Sequence, residues 1–216
     1  GYHPFAWRGW WDFGTGALGD MACHTMNMPY AGLDLRDPIS VQAETSGHNG
    51  DSYPKWSVIT YEFAANDSRG PLKMVWYDGG KRCPAELLEG KSPSASGCLV
   101  IGEKGKIYSP NDYGERYEFM GGAAEMEVEF TPSPGHFTEW VEAIKGGKPA
   151  MSNFPDYASP LTETVLLGNL AVWPAREPGA PGPKVAWDAK NLKASNAEGL
   201  DIIVKPEYRG EYILDA

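Results

Sequence analysis

Ile59-Thr60-Tyr61-Glu62-Phe63 and Leu72-Lys73-Met74-Val75-Trp76-Tyr77, joined through Asn66-Asp67-Ser68-Arg69-Gly70, decide the fold class. Ile59, Tyr61 and Phe63 alternate with Thr60 and Glu62. Leu72, Met74 and Trp76 alternate with Lys73, Val75 and Tyr77. A period of two marks strands with one buried face. The turn chemistry between them joins antiparallel neighbours. Working outward, Val41, Ala43 and Thr45 predict an earlier strand. Leu99 to Ile101 and Lys106 to Tyr108 flank Gly102-Glu103-Lys104-Gly105, a second hairpin signal, and Tyr117 with Phe119 predict a later strand. Residues 39 to 130 thus read as a mostly antiparallel sheet with one face to cover.

Helices follow. Phe137, Trp140, Val141 and Ile144 fall at helical spacing, with Gly146-Gly147 as a stop. Ser159-Pro160 predicts a cap and a first-turn proline ahead of a helix from Leu161 to Trp173 that is apolar on most sides. Val185 to Trp187 and Ile202 to Val204 predict closing strands. Strands first and helices afterwards give an α+β fold: an open, mostly antiparallel β-sheet covered on one face by helices, in a single domain over residues 1–216.

The chain has 216 residues, 19 Lys and Arg, 29 Asp and Glu, and a formal charge of −10. That balance argues against nucleic acid, which needs a basic footprint, and against docking on an anionic membrane. No apolar run approaches the roughly 20 residues of a membrane span. The 26 Gly and 18 Pro imply many tight turns between strands. Cys23, Cys83 and Cys98 make no disulfide framework; Cys83 and Cys98 either pair, in an exported protein, or stay reduced and partly buried. Gly1-Tyr2-His3-Pro4 carries no initiator Met and no targeting segment, so a longer parent protein is expected.

Gly14-Thr15-Gly16-Ala17-Leu18-Gly19 matches the dinucleotide-binding pattern G-x-G-x-x-G. Its context does not. Trp7-Arg8-Gly9-Trp10-Trp11-Asp12 precedes it in place of a buried strand, and Asp34 and Asp37 end no strand after it. A helix is expected through Met28, stopped by Pro29. Glycines at its start call for close approach of another molecule or backbone.

Asp20 and His24 lie four residues apart on one face of that helix. A carboxylate beside an imidazole orients the ring and favours its protonated form, which suits removal of a hydroxyl proton. The same spacing serves a helix-stabilising ion pair or two ligands of a metal, although no further ligand cluster stands out. Trp7, Trp10 and Trp11 offer faces for a sugar ring or serve as core aromatics. Arg8 and Asp12 are placed to bind ligand hydroxyls or to pair with each other. The candidate site residues are His24 and Asp20 for catalysis and Arg8, Trp11 and Asp12 for substrate, with no metal ligand and no cofactor-binding residue.

The stretch from Trp11 to His24 resembles the catalytic helix of the glucose–fructose oxidoreductase/inositol dehydrogenase (Gfo/Idh/MocA) family, in its bacterial-type C-terminal domain. Gly135-His136-Phe137-Thr138-Glu139-Trp140 with Lys145-Gly146-Gly147, Leu161 to Ala171, and Ala186-Trp187-Asp188 with Glu207-Tyr208-Arg209-Gly210 are similar as well. The resemblance implies the substrate domain of a two-domain enzyme whose Rossmann domain binds NAD or NADP. It implies His24 as the base, Asp20 as its partner, a sugar or polyol hydroxyl as the reacting group, and a homo-oligomer formed through the open sheet face, where Trp76 and Tyr77 offer aromatic positions. The assisting lysine of a Glu-Lys-Pro motif and the cofactor domain are not in this sequence, so the chain alone is expected to be inactive and to hold no nucleotide tightly. An NAD-dependent glycosidase of the same family, and a non-catalytic carbohydrate-binding or assembly module, are the alternatives.

Overall fold

In the computed structural model, residues 3–205 and 207–210 are described. The predicted strands form, except at residues 202–204. β1 (Ser40–Thr45), β2 (Ser57–Phe63) and β3 (Leu72–Tyr77) pair antiparallel, with Ile59 opposite Trp76 and Tyr61 opposite Met74. β4 (Cys98–Gly102), β5 (Gly105–Ser109) and β6 (Glu118–Met120) make a separate three-stranded sheet. β7 (Val185–Asp188) and β8 (Lys193–Ala194) complete a five-stranded sheet of order β3-β2-β1-β7-β8.

The alternation in β2 is realised in burial: Ile59, Tyr61 and Phe63 are buried, and Val58, Thr60 and Glu62 lie on the open face. The register carries Leu72, Met74 and Trp76 onto the covered side with them. Trp76 is therefore not on the open face, as had been expected. Neighbouring residues of a strand point to opposite faces, so of Trp76 and Tyr77 it is Tyr77 that lies on the open one. The Trp76 indole donates to Asp78 Oδ2 at 2.9 Å.

α4 (Ser159–Val172) packs on β1 and β2, and α1 (Gly16–Thr25) packs on α4. Leu18 and Ala22 of α1 meet Val165 and Leu170 of α4 above Val41, Ala43, Ile59 and Tyr61. Gly168 sits where these layers are closest: a Cβ there would come within 2.2 Å of Tyr61 Oη and 2.4 Å of Leu18 Cδ2. The Tyr61 hydroxyl donates to the Val165 carbonyl, and burial pushes its ionisation far up.

Other expectations are corrected. Pro29 does not stop the first helix. That helix ends at Thr25, and Pro29 lies in the first turn of α2 (Asn27–Leu33), where a missing N–H costs no hydrogen bond. Ser159 is not a cap, because a π-helical turn (Phe154–Ala158) leads directly into α4 and the Asn153 side chain caps that turn by accepting from Asp156 N. Residues 202–204 belong to a short helix, α5 (Asp201–Val204), rather than a strand. α3 (His136–Ile144) forms as expected, but its apolar stripe is not covered among the described residues: Phe137, Trp140, Val141 and Ile144 are all exposed. The three cysteines are free. Burial pushes the Cys98 thiol up to about 11.

Candidate active site

The approach to α1 is built from the aromatic stretch. Residues 6–9 form a 3-10 turn, not a strand. The backbone then runs beside residues 51–53: Trp11 N donates to the Asp51 carbonyl at 3.0 Å and Tyr53 N to the Gly9 carbonyl at 2.9 Å. The Trp11 ring stacks on Tyr53 with centroids 3.8 Å apart, and its other neighbours are Trp173 at 5.0 Å and His48 at 5.8 Å. Trp11 anchors the loop from within, whereas Trp7 is half exposed at the surface. The His48 ring bonds the Val172 carbonyl through Nε2, and its buried Nδ1, like the Trp11 indole nitrogen, has no hydrogen-bond partner among the described residues.

The glycines of the turn are explained by the chain's own atoms. A Cβ on Gly14 would lie 2.6 Å from Arg8 Cα, and one on Gly16, whose φ is +70°, would lie 2.7 Å from the Tyr53 ring. Tyr53 also donates its hydroxyl to the Gly14 carbonyl. The turn is packed shut, and among the described residues no buried strand leads into it. Its residues do not fit a dinucleotide pyrophosphate, which needs an open turn at a helix N-terminus.

Asp20 and His24 lie on α1 one turn apart, both exposed. The Asp20 carboxylate is held by the Arg8 guanidinium in an ion pair, and no hydrogen bond joins it to His24 among the described residues. Arg8 thus pairs with Asp20, not with Asp12, which is exposed. Arg8 also lies over the Phe5 ring at 4.7 Å. The His24 ring meets the edge of Tyr113, with centroids 5.3 Å apart.

Tyr113 comes from the loop between β5 and β6. Thr25 donates its hydroxyl to Asp112 Oδ1 at 3.0 Å, Ser96 donates to the same oxygen, and Gly114 lies against Met28. Three successive loop residues therefore dock where α1 ends and α2 begins. Nothing in the spacing around Tyr113 announces this. Asn169 was legible in principle, being the one amide in an apolar helix. It is buried and donates to the Thr15 carbonyl at 2.9 Å, fixing the start of α1.

Among the described residues, no group of three or more His, Cys, Asp or Glu is placed to hold a metal, and no helix is long and apolar enough to cross a membrane.

An α+β fold with open antiparallel sheets is consistent with the C-terminal domain of an oxidoreductase. The family model described as the oxidoreductase family, C-terminal alpha/beta domain, matches residues 3–212, and the chain belongs to this Gfo/Idh/MocA oxidoreductase family. A search of curated proteins finds no match.

Proposed function

We propose that this chain is the substrate-binding domain of an NAD- or NADP-dependent oxidoreductase acting on a sugar or polyol hydroxyl, with the nucleotide held by a domain outside these residues. The observation that carries the reading is an accessible imidazole, His24, on a helix whose start and end are both fixed to the rest of the fold. His24 accepts the proton of the substrate hydroxyl. A general base of this kind contributes about 10²- to 10⁴-fold to rate. Arg8 and Asp12 present charge to neighbouring hydroxyls on the same side. Trp11 serves the substrate indirectly, by holding the loop that carries them.

Asp20 acts through Arg8. The ion pair sets the guanidinium beside the helix face that bears His24. The closed glycine turn supports nucleotide binding elsewhere, and a homo-oligomer through the open sheet face completes the reading.

Titration calorimetry of this chain with NAD and NADP tests the division of labour. No binding in the micromolar range is expected, and micromolar affinity would contradict it. Once the nucleotide-binding domain is joined to the chain, a sugar or polyol substrate should drive net formation of reduced nicotinamide. Turnover of a glycoside without it would favour the glycosidase alternative.

A further inference from the structure

Among the described residues the two sheets share no strand pairing. β3 is the terminal strand of one and β4 the terminal strand of the other. A cleft of about 350 Å³ lies between them. It is lined by every residue of β3 from Leu72 to Tyr77 and by Cys98 to Ile101 of β4. Consecutive residues line a cavity only when it runs along a strand's edge, because alternate residues alone would mark a face. Two strand edges, neither paired among the described residues, therefore run along the cleft, which Met26, Leu33 and Leu35 and residues 93–97 close on its other sides; the backbone groups of such edges can accept an added strand.

The walls are selective. Leu72, Met74 and Leu99 give the cleft an apolar side. Its charged residues are Lys73, Lys81 and Arg82, and no carboxylate is among its lining. In a chain of net charge −10 that is a local reversal of sign. Lys73 stays 69% exposed and lies 3.5 Å from Glu62.

The chain also carries a segment without a place. Glu125-Met126-Glu127-Val128-Glu129-Phe130 alternates acid and apolar side chains with the period of a strand. Its six residues match the six of β3. They form no helix or strand, and among the described residues they have no hydrogen-bond partner. Met126, Val128 and Phe130 are 75%, 69% and 82% exposed.

We propose that the cleft receives residues 125–130 of a second copy of this chain, in a reciprocal strand exchange that joins two protomers. Inserted between β3 and β4, the segment turns Met126, Val128 and Phe130 toward Leu72, Met74 and Leu99. Glu125, Glu127 and Glu129 then fall on the open side, with Lys73. The period of two makes both matches hold in a single register. The segment is taken from a second copy because each chain's own residues 125–130 stand outside its cleft, and Pro132, Pro134 and α3 carry the chain onward from there. Reciprocity gives the self-complementary contact of a two-fold dimer. This inference is independent of the role proposed for His24, and of association through the open face.

Sedimentation equilibrium of the chain tests it. The wild type should be a dimer through this contact, and a tetramer where the open face associates as well. The triple variant Glu125→Lys, Glu127→Lys, Glu129→Lys should raise the dissociation constant by about 10- to 100-fold, as three reversed charge contacts imply. Mixing it with Lys73→Glu, Lys81→Glu, Arg82→Glu should restore a dimer of one copy of each. A synthetic peptide of residues 123–132 should dissociate the wild-type dimer, and its Glu-to-Lys counterpart should not, a readout independent of variant folding. A wild-type chain that stays monomeric overturns the proposal, whether its cleft is filled by its own segment or by another ligand. A triple variant that dimerises like the wild type overturns it equally, and places the contact elsewhere, on the open face.

Discussion

The Arg8 guanidinium is paired with the Asp20 carboxylate, which ties the loop before α1 to the helix itself. Both side chains keep substantial exposure, 31% and 42%. Solvent screens such a pair, so its contribution to stability is about 0.2–1 kcal/mol. A double-mutant cycle of Arg8→Ala and Asp20→Ala, read by urea unfolding, should return a coupling in that range. The pair's larger effect is expected on substrate affinity, since Arg8 loses its anchor when Asp20 is removed.

The glycines of α1 and α4 answer to packing. Gly16 holds a φ of +70° against the Tyr53 ring, and Gly168 has no room for a methyl group between Tyr61 and Leu18. Gly16→Ala and Gly168→Ala should each destabilise the fold by about 1–3 kcal/mol, through backbone strain in the first case and overpacking in the second. Gly70→Ala, with open space around it, should change stability by less than about 0.5 kcal/mol. Thermal unfolding of the three variants checks the order.

Glu62 gives the fold an acid-sensitive point. Hydrogen bonds from Lys184 and Ser40 hold its carboxyl down, to about 2 from an ordinary 4.5. A depressed folded-state value stabilises the fold while pH stays above the ordinary value. That contribution fades as pH falls from about 4.5 toward 2 and is gone below. Glu62→Gln should therefore flatten the stability profile in this window and leave its slope above pH 5 unchanged. Denaturant unfolding across the range measures it.

Exposure separates two groups of apolar residues that the sequence treats alike. Ile59 is fully buried beneath α4, and Ile144 on α3 is 68% exposed. Ile59→Ala should cost about 2–5 kcal/mol. Ile144→Ala should stay within about 0.5 kcal/mol of wild type. Equal losses in urea unfolding would contradict the placement of α3.

The strands were legible because a sheet with one covered face imposes a period of two on its residues, and Ile59, Tyr61 and Phe63 obey it. The placement of Trp76 follows from the same rule once its register with Ile59 is known. What α3 covers was not legible, since periodicity reveals an apolar stripe but not its partner. Four residues such as 201–204 are too few for either period to declare itself. In the candidate site, the spacing of Asp20 and His24 brought them to one helix face. Their neighbours arrive from afar: Arg8 from the preceding loop, Tyr113 from the second sheet. Contacts at such separations depend on topology, and no local pattern encodes them.

The proposed role of His24 is tested most directly by hydride-transfer kinetics with a sugar or polyol substrate, in the protein carrying its nucleotide-binding domain, comparing wild type with His24→Ala. A fall in kcat of about 10²- to 10⁴-fold, with the fold intact, is the predicted result. Turnover that survives the substitution unchanged would contradict it and leave the acid and imidazole of α1 as parts of the scaffold alone.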